Sequence, residues 1–218
     1  MLMGGVLKIV INYPHKKKLT AATTPKTITF GKRGMSFEND IQSANAFYLA
    51  SNMAIIHKKP TPVQIVKVSY PKRAAAIITE AYFKTPSTTD FNGIFKGKYI
   101  DFEAKETTNL TSFPLQNLHE HQVKHMEQVD EHGGIAFLLV KFSKLNEVYL
   151  LPFEKLTDFW QEYKQGKRRS ILKKEIAQFG NPIPEGTYPM VDYLKIVEEL
   201  FIKGGEKFGE NRKKEKKD

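Results

Sequence analysis

Thr88-Thr89-Asp90-Phe91-Asn92-Gly93 and Tyr99-Ile100-Asp101-Phe102-Glu103-Ala104-Lys105-Glu106 decide the reading of this chain. The second segment reads as a strand, and a strand sends alternate side chains to opposite faces. Asp101, Glu103 and Lys105 then point one way, while Ile100, Phe102 and Ala104 point into the core. An aspartate on a turn, followed by Glu-x-Lys on a strand, is the minimal equipment for metal-dependent phosphodiester hydrolysis. Asp90 and Glu103 can hold Mg²⁺, which accepts a few carboxylates and keeps several waters. Lys105 beside that ion can orient the attacking water or neutralise charge building on the phosphate. Asp90, Glu103 and Lys105 are therefore the catalytic candidates. The alternative is an ordinary half-exposed strand with its charges in water.

At 218 residues, the length suits one α/β domain with appendages. The chain contains no cysteine, so any metal must be held by oxygen or imidazole. No stretch approaches the roughly 20 apolar residues needed to cross a bilayer, and the expectation is a soluble, cytoplasmic protein. Net charge is +10, and it is unevenly placed. Residues 1–79 hold twelve Lys or Arg against only Glu38 and Asp40, whereas residues 80–218 carry 22 bases and 22 acids. An excess confined to one third of the chain points to a polyanion partner, nucleic acid before acidic membrane.

The basic third has its own organisation. Residues 1–32 read as a flexible basic arm, and Arg33 at its end is a candidate phosphate contact. A helix is expected over 37–51, with Ser36 as N-cap and Phe37, Ile41, Ala44 and Tyr48 at helical spacing. Glu38 either serves the helix dipole or approaches the metal site. Short extended runs follow at 53–57, 63–69 and 75–84, with turns at 58–62 and 71–73. From 57 to 73 there is no acid. This excursion can present Lys58, Lys59, Lys67, Lys72 and Arg73 to DNA. Tyr82 and Phe83 either stack on bases or belong to the core.

Downstream, Ile94-Phe95 suggests a hairpin strand before the strand at 99–106. A helix is expected over about 115–131, opened by Pro114 and closed by Gly133-Gly134. Gln122 falls on its apolar stripe, so it needs a partner. Either it reaches the metal or its waters, or it is a satisfied buried amide. His121 and His125 have ligand-capable spacing, but no Glu at 122 completes a zinc-protease motif. They read as solvated residues or as phosphate contacts. Strands at 135–142 and 147–151, a helix at 154–164, a Pro-rich loop at 181–189 and a helix at 191–202 complete the domain. The segment 203–218 reads as a disordered charged tail.

Several longer motifs go further than composition. They are Arg33-Gly34-Met35, the run from His57 to Val66, Glu80-Ala81-Tyr82-Phe83, and the two segments quoted first. Ser112-Phe113-Pro114-Leu115-Gln116-Asn117 and His119-Glu120-His121-Gln122 complete the set. Across about residues 33–200 the chain resembles the RecU-type Holliday junction resolvases, bacterial members of the restriction-endonuclease-like PD-(D/E)xK nucleases. The resemblance implies an α/β fold with a mixed central sheet flanked by helices and a protruding basic stalk. It places that stalk at about 57–80 within a nuclease domain spanning 33–202. It implies a homodimer that binds four-way DNA junctions and nicks opposing strands symmetrically with Mg²⁺ or Mn²⁺, leaving 5′-phosphates. The family's metal-binding positions fall on Thr88, Asp90, Glu103 and Gln122, and its transition-state-stabilising lysine on Lys105. Recombinase and branch-migration proteins are candidate partners, and a nucleoid-associated location follows from the substrate. The rival readings are a related nuclease acting on linear duplex and a non-catalytic junction-binding or recombinase-modulating protein.

Overall fold

The apolar run Ile135–Phe142 is the strand about which the other elements assemble. Seven of its eight residues are buried, Lys141 being the exception, as expected of a strand covered on both faces. The computed structural model describes residues 36–72, 75–84, 88–184 and 188–204. In chain order these form α1 (Phe37–Ala50), β1 (Ala54–Lys58), β2 (Val63–Lys72), β3 (Ala75–Phe83), β4 (Phe91–Phe95), β5 (Lys98–Thr107) and β6 (Ser112–Pro114). There follow α2 (Glu120–Glu131), β7 (Ile135–Phe142), β8 (Glu147–Pro152), α3 (Phe153–Lys164), β9 (Ser170–Leu172), α4 (Lys173–Phe179), β10 (Asn181–Ile183) and α5 (Tyr193–Val197).

Six strands form one mixed sheet in the order β1-β4-β5-β7-β8-β10. Only β5 and β7 are parallel; the other neighbours are antiparallel. A parallel pair needs a crossover, and α2 lies on that connection. One sheet face packs Ile100, Phe102, Phe137 and Leu139 against α1 and α5. The opposite face packs Ala136, Leu138 and Val140 against α2 and α3. Phe102 stacks between Phe91 and Phe137, with ring centroids 5.0 and 4.7 Å away. At the sheet edge, a Cβ on Gly93 would lie 2.0 Å from the Ile55 carbonyl oxygen, so only glycine allows β4 to approach β1 this closely.

β2 and β3 leave the sheet and pair only with each other, in a ribbon with repeated register shifts. It carries apolar side chains yet is exposed along nearly all of both strands; Tyr82 is 61% and Phe83 83% accessible. The two aromatics are thus not core residues. The ribbon is rooted by Lys84 N–H donating to the Pro62 carbonyl at 3.0 Å. Pro71 and Lys72, expected in a turn, continue β2.

Three further expectations change. The helix expected from 115 starts later: Pro114 ends β6, which pairs with β9, and Leu115–Asn117 form a single 3₁₀ turn. Leu118 is then extended, and α2 begins after His119. The Pro-rich loop contains β10, held at the sheet edge by β8. The last helix is α only over Tyr193–Val197 and continues as a π-helical turn, Glu198–Lys203. The N-cap expectation is met, with the Asn39 N–H donating to Ser36 Oγ at 3.4 Å. The arm at 1–32, Arg33, Arg73 and the tail from 205 onward lie outside the described residues.

Phe102→Ala removes the middle ring of the buried stack. It is expected to lower unfolding stability by about 3–5 kcal/mol, read as a reduced urea midpoint at constant m-value.

Candidate active site

β5 turns the same alternation to two uses. Ile100 and Phe102 enter the α1-side core, while Asp101 and Glu103 enter the opposite side, both 0% accessible. In register, Asp101 lies beside Ala136 and Glu103 beside Leu138 of β7. Two carboxylates thus stand where the neighbouring strand places apolar core residues. The half-exposed reading of this strand is overturned, because α2 covers the charged face. A buried carboxylate must be neutralised, paired or coordinated to a cation.

Glu103 is the centre of the first cluster. Its Oε1 accepts from Gln122 Nε2 at 2.6 Å and meets Lys105 Nζ at 2.7 Å. Its Oε2 accepts the Asp90 N–H at 3.1 Å. Asp90 Oδ2 in turn accepts the Ala104 N–H at 3.4 Å. Asp90, Glu103, Lys105 and Gln122 are therefore brought together from the 88–90 turn, β5 and α2. Gln122 is buried as its spacing requires. Its nitrogen holds Glu103, and its Oε1 accepts the His119 N–H at 3.0 Å, capping α2. Thr88 adjoins the group, its hydroxyl donating to the Thr89 carbonyl at 3.4 Å.

Burial, followed by the nearby Asp90 carboxylate, pushes Glu103 up to about 8, with Lys105 pulling the other way. Such a carboxyl gains by exchanging its proton for a cation. Among the described residues no three His, Cys, Asp or Glu side chains cluster as a metal cage. The donors available are two carboxylates and neutral oxygens. That composition fits Mg²⁺ or Mn²⁺, which take hard oxygen ligands and complete their shells with water.

A second cluster adjoins the first and was not anticipated from sequence. Asp101 Oδ1 accepts from the Thr89 hydroxyl. Its Oδ2 accepts from Lys59 Nζ at 2.6 Å and Tyr99 Oη at 2.8 Å, and lies 3.2 Å from His125 Nε2. The available signals were Asp101 two residues before Glu103 on one strand face and His125 three after Gln122 on one helix face. Lys59, expected to reach DNA, turns inward; its side chain is 16% accessible, because a fully buried aspartate requires a cation. His121 has a buried Nε2 with no hydrogen-bond partner. Burial, His119 and Lys105 hold it below the usual imidazole range.

The remaining basic candidates lie elsewhere. Lys58 pairs with Glu38 at 2.6 Å, and Glu38 also accepts from Gln42, so its carboxylate serves α1 and β1. Lys67, Lys72, Tyr82 and Phe83 line the exposed ribbon. Arg168, part of a basic run, is spent on Glu162 and Glu175.

The profile of the family described as Recombination protein U matches residues 32–199. A Listeria welshimeri protein named Holliday junction resolvase RecU is 52% identical over 201 residues, covering 89% of this chain and all of the relative. Proteins of the same name from Staphylococcus aureus and a Geobacillus species are 53% and 50% identical. These alignments cover 88% and 89% of this chain, and 97% and 99% of the relatives. No helix among the described residues is long and apolar enough to cross a membrane.

Because Glu103 is protonated more readily when folded (about 8) than when unfolded (4.5), metal-free stability should fall as pH rises between these values. Urea unfolding in chelator across that window is the measurement. Glu103→Gln should flatten the decline; an unchanged slope would remove Glu103 as its source.

Proposed function

The chain belongs to the Recombination protein U family, and on that premise we propose that it is a structure-selective endonuclease that resolves four-way DNA junctions by paired nicking. The supporting observation is the buried Glu103 carboxylate, with the half-buried Asp90 and Lys105 against it. A surface carboxylate pair would need no compensation; this one calls for a cation.

Asp90 and Glu103 would hold Mg²⁺ or Mn²⁺, with Thr88 and Gln122 completing the surroundings. When bound, the ion supplies an acidified water and positive charge against the scissile phosphate. Gln122 fixes the rotamer of Glu103 from α2. Lys105 holds its ammonium beside Glu103, where it can stabilise the equatorial phosphate oxygens in the transition state. The packed face around β5 and α2 limits water, so these charges act at lower effective dielectric than in solution. Cleavage at the 3′-oxygen side leaves a 5′-phosphate.

Shape and phosphate contacts select the substrate. The ribbon offers Lys67 and Lys72 to the backbone, and Tyr82 and Phe83 as exposed rings for unstacked bases. Arg33, Arg73 and Lys58 are the further DNA contacts proposed from the sequence. A homodimer supplies two sites related by a two-fold axis, which matches the symmetry of a four-way junction and accounts for paired nicks. Recombinase and branch-migration proteins are the expected associates, and the cytoplasmic nucleoid the expected location.

Asp90→Asn or Glu103→Gln should reduce nicking of a synthetic four-way junction by about 10³-fold or more while gel-shift binding persists. Lys105→Ala should cost about 10²–10³ in rate. A Glu103→Gln protein that nicks normally would end the proposed site. Lys67→Gln combined with Lys72→Gln should reduce the slope of log affinity against log salt by about 1 per lysine, measured by fluorescence anisotropy on the same junction.

A further inference from the structure

The Asp90 carboxylate accepts the Ala104 N–H at 3.4 Å and shares a hydrogen bond with Glu103. The turn that carries it is held from a further side by Lys59. The Lys59 N–H donates to the Asp90 carbonyl at 2.7 Å. The Lys59 ammonium reaches the hydroxyl of Thr89, the preceding residue, at 3.0 Å. It also reaches Asp101 at 2.6 Å and His125 Nε2 at 3.3 Å. An ammonium has three protons. Here two of them reach Asp101 and the Thr89 hydroxyl and the third faces His125 Nε2, so the ammonium is turned into the protein. Asp101 in turn is fixed on β5, two residues from Glu103, and also grips Thr89 directly.

We infer that Lys59 and Asp101 are a positioning pair that holds the Thr88–Asp90 turn in register with Glu103, so that affinity for the divalent ion depends on two side chains that touch neither the ion nor DNA. The pair joins three segments: the end of β1, the turn and β5. Opening it removes the side-chain grip on Thr89 and leaves Asp90 tied to this segment only by the Lys59 backbone N–H, so the two carboxylates lose their fixed separation. A flexible pair must be ordered by the ion itself, which weakens binding. Saturating ion restores the arrangement, so the maximal nicking rate is affected much less than the ion concentration needed to reach it.

The inference rests on the metal site proposed above, and the experiment separates the two. Mn²⁺ is titrated into the DNA-free full-length chain and free Mn²⁺ is followed by electron paramagnetic resonance. Thermal melts in chelator report folding. Lys59→Met is expected to weaken Mn²⁺ binding about 10- to 100-fold. It should raise the Mn²⁺ concentration for half-maximal junction nicking by the same factor and leave the rate at saturating Mn²⁺ near that of the wild type. Lys59→Arg should recover part of the affinity. If Lys59→Met fails to fold because Asp101 is left buried and unpaired, Lys59→Met combined with Asp101→Asn removes both charges and should show the same weakened binding. A folded variant of either kind that binds Mn²⁺ as the wild type does would overturn the pair's role. Asp90→Asn is the control. If it too binds Mn²⁺ normally, the metal site itself fails; if it loses Mn²⁺ while Lys59→Met keeps it, only the positioning role fails.

Discussion

Burial of the Glu103 carboxylate is the constraint on which the site depends. It sits in register with Leu138, on a sheet face that α2 and α3 otherwise fill with apolar side chains. The fold does not leave it bare. Gln122 and Lys105 reach one oxygen, and the Asp90 backbone N–H reaches the other. Breaking one partner of such an arrangement leaves an uncompensated group in a low-dielectric setting, so the elements that carry those partners are held together by the same requirement. α2 is tied to β5 by Gln122, and the 88–90 turn by Asp90.

Asp101 repeats the arrangement one pleat away. It too is fully buried, and it draws Lys59, Thr89, Tyr99 and His125 around it. The two clusters divide the labour on one strand. Glu103 is left with a raised proton affinity and incomplete charge compensation, whereas Asp101 is satisfied within the protein. Incomplete compensation favours a cation ligand; full satisfaction favours a rigid anchor. The opposite side of the strand is occupied by the Phe91–Phe102–Phe137 stack, which fixes the backbone from which both carboxylates project.

Much of this was legible in the sequence where a period was long enough to read. α1, β5, β7, β8 and α3 fall within a residue or two of their expected bounds, because each carries a sustained alternation or helical stripe. The alternation of Asp101, Glu103 and Lys105 and the place of Gln122 on an apolar stripe were visible for the same reason. Three-residue strands carry no usable period, so β6, β9 and β10 leave no mark in the sequence, and Pro114 reads as a helix start although pairing with β9 makes it a strand end. The inward turn of Lys59 was hidden for another reason. A lysine in a run of bases carries no local sign of a buried aspartate 42 positions away. Tyr82 and Phe83 were ambiguous by composition and are exposed because the ribbon packs on nothing else in the sheet.

The ribbon's way of joining the sheet has an evolutionary consequence. It enters after Lys59 and leaves before Asp90, and its two ends are bonded together at Pro62 and Lys84. Adding or deleting residues in pairs at its far end would therefore change its reach without displacing either end. Selection can tailor the length of this projection to its target while the chemistry at its base stays the same.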